Sequence, residues 1–515
     1  MITRYFGGSF YVGSGRWVSE IYVADGKVCT PTRSDVEIDI QGATLLPAFR
    51  DGHAHPFFAG QELLGLDVSS AESLSEIAER LVAYKIQNPQ KTWISGGAFN
   101  RALPGQLTRQ FLDTYVRDTP VSLHADDHHT IWVNSRALEI AGLLDGPIPA
   151  VSVGSVDLGA DGLPNGILRE NEAIDLVLRH QPKSSPEDNL QAHLVAEETL
   201  IRAGITSVQD AWVDQDLLNS YLRFKDQLKL DYQLAMLLMP QSLEEDLETA
   251  KTAIEQLSDQ ANIKIQSVKI FIDGVFGSAT ALVSEPYLST GAHGDQNWTK
   301  QDLERAINSA HQLGLQTHIH CIGDQAIAFA LAAIENSDKG KLQPVLAHAE
   351  LTNPPLIQKI KSLGVSVCVQ PYWAQNNDML NSCEQHLGKA RKDSLYAFRE
   401  MLEAGINVAF SSDWPVSSHK PLEGIAVAVH RKLTPDMTEH NQSQSITLEQ
   451  AIDAYTLANL RMLGTGASVL NPGDDFDAVL ISGDLKAKNL EDLVSSEVLA
   501  VFRKGVSLLP KHHHG

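Results

Sequence analysis

Cysteine is scarce in this chain. Cys29, Cys321, Cys368 and Cys383 are spread over 515 residues with no CxxC pair among them. That spacing offers no disulfide framework, and a reducing cytoplasm is the compartment it leads us to expect. Long apolar runs are missing too. No stretch of about 18 residues reads as a membrane span, and MITRYFGGSFYVGSG at the start lacks a basic segment leading into an apolar one. Neither a cleaved signal nor a membrane anchor is therefore expected. Positive charge is in short supply as well: Lys and Arg number 41 against 64 Asp and Glu, giving a formal charge of −23. Such a surface repels nucleic acid and anionic membranes. The expected partner is a small molecule, and homodimerisation stays open.

What is present begins with short strands and Gly-containing turns at both ends: SFYVGSG, RWVSEIYVADG and VEIDIQG early, GDDFDAVLISGD and SEVLAVFRKG late. Two β-rich ends around a mixed middle suggest a small β-sandwich domain built from 1–48 and 465–510. The middle alternates buried-looking strands with helical patterns. The strands are TLLPAF, TSVQD (206–210), QLAMLL (233–238), VKIFID (268–273), QTHIH (316–320), VLAHAE (345–350), SVCVQ (366–370) and NVAFSSD (407–413). Eight strands in a βα rhythm is the count of a (β/α)₈ TIM-like barrel, here over 49–60 and 196–464. One interval breaks the rhythm. The chain from 61 to 195 is far longer than a crossover needs and has its own strand candidates, TWISGGAF and VSLHADDHH. It reads as an inserted subdomain covering the active site, because loops after barrel strands open onto the catalytic face. The terminal KHHHG is given no role.

Chemistry gathers at the strand ends. DGHAHP (51–56) puts His53 and His55 on one face of an extended chain, two residues apart. Lys269 lies on the fourth strand, His318 and His320 on the fifth, His348 ends the sixth and Asp413 the eighth. Imidazole nitrogens and a carboxylate are ligands that zinc favours, and a catalytic zinc keeps one position open for water. An HxH pair alone is weak. In this order, each near a strand end, the set is strong.

With these residues in place, the chain resembles the amidohydrolase superfamily of metal-dependent hydrolases, and within it the YtcJ-like branch that includes N-substituted formamide deformylases. LLPAFRDGHAHP, GLPNGILRE, AGITSVQDA, VKIFIDGVFGSATALVSEPY, HIHCIGDQA, SSDWPV and NPGDDFDAVL carry the resemblance, with DHHTIWVNSRALEIAGL inside the insertion. It implies hydrolysis of a C–N bond, amide or N-formyl type but not peptide, by metal-activated water. His53 and His55 match the pair binding the more buried metal. Lys269 matches a lysine that carbon dioxide carboxylates into a bridge between two metals. His320 and His348 match ligands of the second metal. Asp413 matches the aspartate that touches metal and moves the proton, with His348 beside it in catalysis. If Lys269 stays an amine, one metal on His53, His55, His320 and Asp413 is implied, and His348 polarises the substrate carbonyl. Zinc is the default, with iron and manganese suited to the same set.

Substrate contacts are expected from Asp127, His129, Trp373 and His318. His318 faces the same way as His320 but one layer deeper, where support of a ligand or plain packing are the alternatives. A border of Trp373, Tyr372, Trp212 and Phe276 would favour an apolar N-substituent. Two departures from the family pattern stand out: Pro47–Ala48 where Pro-Gly is usual, and His128 where relatives often carry glycine. The rival enzyme is a mononuclear aminohydrolase (deaminase) of a heterocycle. Such relatives place a glutamate three residues after the fifth-strand histidine, and here that position is Gly323. A non-catalytic scaffold is the third reading, and the full set of ligands speaks against it.

Overall fold

The computed structural model describes residues 1–100, 103–125, 130–151, 154–338 and 340–509, the side chain of Asn171 excepted. The chain forms two compact units, 1–55 with 197–515, and 56–196.

The larger unit holds eight parallel strands: β1 (Phe49–Ala54), β2 (Ile205–Val213), β3 (Asp231–Leu237), β4 (Ile263–Phe271), β5 (Gln316–Cys321), β6 (Val345–His348), β7 (Ser366–Val369) and β8 (Val408–Phe410). They pair in chain order, so each strand's neighbours are those before and after it. Burial on both faces explains the near-continuous apolar runs in the sequence. The ladder sets residues level across strands, Lys269 beside His318 and Cys321 beside His348.

The expected first strand, TLLPAF, is divided in the structure. Thr44–Pro47 joins the terminal sheet, antiparallel to Ala478–Ile481, and the barrel strand starts only at Phe49. The switch is visible in the backbone: Ala48 N–H donates to Asp477 O at 3.0 Å, and Phe49 N–H donates to Gly204 O at 3.0 Å. His53 thus lies inside β1 and His55 one residue beyond it. The eighth strand is also shorter than read, and Asp413 follows it at a distance of three residues.

Strands β1 and β8 face each other without a ladder, and polar groups tie them. Asp413 N–H donates to His53 O and His55 N–H to Trp414 O, both at 2.7 Å. The buried Asp51 carboxylate accepts from Ser412 N at 3.0 Å and Ser412 Oγ at 2.5 Å. Asn459 completes the seam from the helix Leu457–Met462. Its Nδ2 donates to Arg50 O at 3.1 Å, Phe410 O at 3.0 Å and Ala454 O at 3.0 Å.

Both chain ends build one mixed sheet, ordered 506–507, 498–503, 478–481, 44–47, 2–11, 17–24 and 27–29, with 36–39 also paired to 2–11. The strands form a single hydrogen-bonded sheet. The long first strand slips register between Phe6 and Phe10. Gly7, at φ +79°, and Gly8 make that slip, because a Cβ on Gly8 would stand 2.2 Å from Ala43 O. Phe10, Ile21, Val23, Leu45, Phe476 and Ala478 pack into its apolar cluster.

The smaller unit has a six-stranded sheet in which Ile94–Phe99 and Val121–Ala125 fall within the strand candidates TWISGGAF and VSLHADDHH, residues 126–129 of the latter lying outside the described residues. Helix Leu74–Gln87 flanks them, its Ser73 cap accepting from Glu76 N. Among the described residues no helix is long and apolar enough to cross a membrane.

The seam yields a stability prediction. Asn459→Ala removes the amide shared by the buried Phe410 and Ala454 carbonyls and the half-buried Arg50 carbonyl, and should cost about 2–4 kcal/mol. Thermal unfolding would show it as a lower midpoint. An unchanged midpoint would mean that side-chain packing alone closes the barrel.

Candidate functional site

Five strands deliver imidazole, amine or carboxylate to the carboxyl end of the barrel, and burial there is nearly complete. His53, Lys269, His318, His320, His348 and Asp413 are all buried. His53 is the hub. Lys269 Nζ donates to its Nε2 at 3.3 Å, Asp413 Oδ1 lies 3.3 Å from the same nitrogen, and its Nδ1 meets His318 Nε2 at 2.8 Å. His55 Nε2 approaches Asp413 Oδ1 at 3.0 Å. One donor atom from each of His53, His348 and Asp413 falls within 4.8 Å of the others, a spacing that a metal ion can bridge.

His348 has its ring orientation fixed by a chain of side chains. Ser411 Oγ donates to Val369 O at 3.2 Å, Gln370 Nε2 donates to Ser411 Oγ at 2.9 Å, and His348 Nδ1 donates to Gln370 Oε1 at 2.9 Å. With its proton on Nδ1, His348 presents a bare Nε2. That tautomer suits a metal ligand and does not suit hydrogen bonding to a substrate carbonyl. His348 (φ +71°) and Asp413 (φ +56°) both hold the left-handed backbone conformation, a strain of about 1 kcal/mol or more each that β-carbon residues rarely carry. Strained backbone at two of the three clustered residues marks the place as selected for something other than stability.

The electrostatics follow from burial. Desolvation first, then the Lys269 charge, pushes the His53 and His318 imidazoles well below their ordinary values, and His320 down to about 3. Burial also lowers His348, with neighbouring imidazoles adding to the effect. Burial alone would raise the Asp413 carboxyl, yet the hydrogen bond from His55 and nearby positive charge hold it below the usual range. Lys269 is brought down to about 8 by desolvation, with its Nζ 4.5 Å above the Phe271 ring. The centre is a set of neutral imidazoles around one carboxylate and a lysine that loses its proton easily.

Not every expected residue joins the cluster. His320 Nε2 turns to Gly274 O at 3.2 Å, with Asp273 Oδ1 at 3.6 Å, although its ring stays 4.5 Å from that of His348. His318 was expected among the substrate contacts. It lies fully buried, its Nε2 2.8 Å from His53 Nδ1, where it braces that ring. Trp373 stacks on His348 with ring centroids 5.7 Å apart and planes 9° from parallel. Trp212, 39% exposed, sits 6.3 Å from the His55 ring and 5.1 Å from Phe271. Asp127 and His129 lie outside the described residues.

Four residues brace the surroundings of the centre, and of these Gln370, Ser411 and Glu350 escaped the sequence reading. Gln370 and Ser411 orient His348, and only a buried amide at the end of SVCVQ hinted at it. Asp273 anchors the β4 loop to the turn after β5, accepting from Leu282 N at 2.8 Å, Ile322 N at 3.1 Å and Gly323 N at 3.0 Å. Glu350, two residues past His348, accepts from Tyr396 Oη at 2.8 Å, and burial raises it to about 8. Gly323 itself is a packing requirement: a Cβ there would stand 2.0 Å from Leu282 O.

Comparison with known proteins agrees with this geometry. YtcJ of Bacillus subtilis (strain 168), named as an amidohydrolase, is 29% identical over 462 residues, covering 87% of this chain and 85% of its own. The N-substituted formamide deformylase of Arthrobacter pascens is 24% identical over 461 residues, covering 84% of this chain and 82% of its own. The crystal structure of an uncharacterized metal-dependent hydrolase from Pyrococcus horikoshii OT3 shares the fold at TM-score 0.78 and 23% identity, covering 95% of this chain and 99% of that one. The Amidohydrolase family model, Amidohydro_3, matches residues 36–508, and the chain belongs to that family, in its YtcJ-like branch.

Proposed function

We propose that this protein is a metal-dependent hydrolase that cleaves a C–N bond, of amide or N-formyl type, in a small molecule. The observation that carries this reading is the buried cluster of His53, His348 and Asp413 at the barrel's carboxyl end, with Lys269 against it. The similarity to a formamide deformylase supports the choice of bond. A divalent ion, with zinc our first choice, would be held by His53, His55, Asp413 and His348, with His320 completing the set on rotation away from Gly274 O. When bound it would supply Lewis acidity and bring the pKa of a water toward about 7.

The residues divide the remaining work. Asp413, held as an anion, accepts a proton from attacking water and returns it to the leaving amine. His348 serves as ligand, since Gln370 holds its proton on the far nitrogen. Lys269 has an amine free enough of protons near pH 8 to attack carbon dioxide: the nitrogen forms a bond to carbon, one C=O π pair moves onto oxygen, the nitrogen gives its proton to water, and a carbamate results. When formed, that carbamate would add oxygen donors to the nitrogen and carboxylate ligands that the histidines and Asp413 supply. Asp413→Asn should lower kcat by about 10²–10⁴-fold in a screen of N-formyl amines and amides that separates amine, ammonia and carboxylate. Ammonia released from a heterocycle instead would move the assignment to the aminohydrolases, against the backbone contact that leaves Gly323 no room for an acid.

Two further outcomes test the ligand roles. Gln370→Leu should weaken metal affinity about 10–100-fold while the fold stays intact by circular dichroism, and unaltered affinity would remove Gln370 from the centre. With ¹³C-bicarbonate, metal-free protein should show a carbamate carbon signal that grows as pH rises through about 8, because only the neutral amine reacts, and Lys269→Met should abolish it. A signal that persists in the variant would place the modification elsewhere.

A further inference from the structure

With its proton on the nitrogen that faces Gln370, His348 has none to offer a substrate oxygen. The ring stacked on it does. Trp373 closes the turn Pro371–Trp373 after β7 and lies against His348, ring centroids 5.7 Å apart and planes 9° from parallel. Its backbone is fixed on both sides. Trp373 N–H donates to Gln370 O at 3.2 Å, and Trp373 O accepts from Gln375 N–H at 2.9 Å. Gln370 thus holds the imidazole with its side chain and the indole residue with its carbonyl. Trp373 is 6% exposed, and its Nε1 is buried with no hydrogen-bond partner among the described residues. Other indoles of this chain are paired: Trp17 donates to Glu449 Oε1 at 3.2 Å, Trp93 to Ser122 Oγ at 2.9 Å and Trp132 to Thr108 O at 3.0 Å. A buried N–H without an acceptor is destabilising and uncommon, and this one stands beside the centre.

We propose that the Trp373 indole N–H is a hydrogen-bond donor to the acyl oxygen of the bound substrate, and that this bond strengthens as the oxygen takes on negative charge. The proposal rests on the amide-hydrolase reading above. Water attacking the acyl carbon forms a C–O bond, its proton passes to Asp413, and the carbonyl π pair moves onto the acyl oxygen. Collapse returns that pair, breaks the C–N bond and sends the Asp413 proton to the leaving amine. Trp373 exchanges no atom in either step; it lowers the energy of the charged oxygen between them. An indole suits this task. It is a donor only, so no second tautomer competes with the productive one, in contrast to the imidazole beneath it. The stack on His348 and the turn at Gln370 set its orientation before substrate arrives, and a donor placed in advance costs no reorganisation as charge develops. The unpaired N–H is the stability cost of that advance placement, and substrate supplies the acceptor.

Trp373→Phe keeps a ring against His348 and removes the N–H. In the metal-loaded full-length protein its metal content should match the wild type. For N-formylphenethylamine, kcat should fall about 10²-fold with KM little altered, because the bond is made chiefly in the transition state. Sulfur is the weaker acceptor, so changing to the thioformamide of the same amine should cost the wild type about 10-fold more than it costs the variant. Equal losses in both proteins overturn the proposal, and so does a variant that keeps its kcat. A second measurement needs no turnover. With ¹⁵N-labelled tryptophan, the indole signal that Trp373→Phe removes should move downfield in ¹H when 5-phenylpentan-2-one is added to the metal-loaded wild type. That ketone carries the acyl oxygen on an uncleavable CH₂ in place of the amide nitrogen. If no formamide is hydrolysed and the signal still moves, the amide reading fails and the indole donor stands. Hydrolysis with an unmoved signal leaves the reading intact and overturns the donor role, as does an unmoved signal without hydrolysis.

Discussion

The structure turns on the closing of one seam. Seven of the eight barrel interfaces are ladders of backbone hydrogen bonds, but β1 and β8 have none between them, and β8 is three residues long. Closure falls to polar groups with specific partners. Asp51 and Asn459 bridge from either side, and two backbone hydrogen bonds join His53 to Asp413 and His55 to Trp414. Those last two bonds also fix how far the first-strand histidines stand from the aspartate. Barrel closure and the distance between ligands are therefore one constraint. A chain that failed to close here would lose its site before it lost its strands.

That constraint explains why so many polar groups tolerate burial. Neutral imidazoles cost less to desolvate than charged ones, and each is held neutral by the low-dielectric setting and by Lys269. The His53–His318 and His348–Gln370 contacts satisfy the outward nitrogens and leave the inward ones bare. The arrangement pulls several lone pairs together around one carboxylate, and lone pairs repel. Lys269 offsets this in part at His53 Nε2, and a cation at their centre would offset the rest, which is the physical reason for reading the cluster as a metal site.

Much of this was legible along the chain, for identifiable reasons. Strands buried on both faces leave apolar runs that need no partner to be recognised, and barrel enzymes place chemistry where those runs end. His53, His55, Lys269, His348 and Asp413 could be picked out on that basis. The separate pairing of Thr44–Pro47 could not, because an unbroken apolar run does not record that Leu46 pairs with Val479 while Phe49 turns to Gly204. Gln370, Asp51 and Asn459 were invisible for a related reason. Each acts through a partner distant in sequence, and a single amide or carboxylate in an apolar setting has no periodicity to betray it. The orientation of His320 was likewise hidden, since it depends on where the Gly274 carbonyl falls.

Glycine at 323 shows how absence and structure become the same statement. Read as a residue type, Gly323 only lacks the acid that an aminohydrolase would use. In the fold its N–H is held by Asp273, and the space of its missing side chain is filled by the Leu282 carbonyl. Restoring a glutamate there would require the 272–299 loop to move off the end of β5, undoing the three hydrogen bonds through which Asp273 binds the two segments together. The chemistry open to this barrel is set as much by the backbone that occupies the β5 turn as by the histidines that surround the centre.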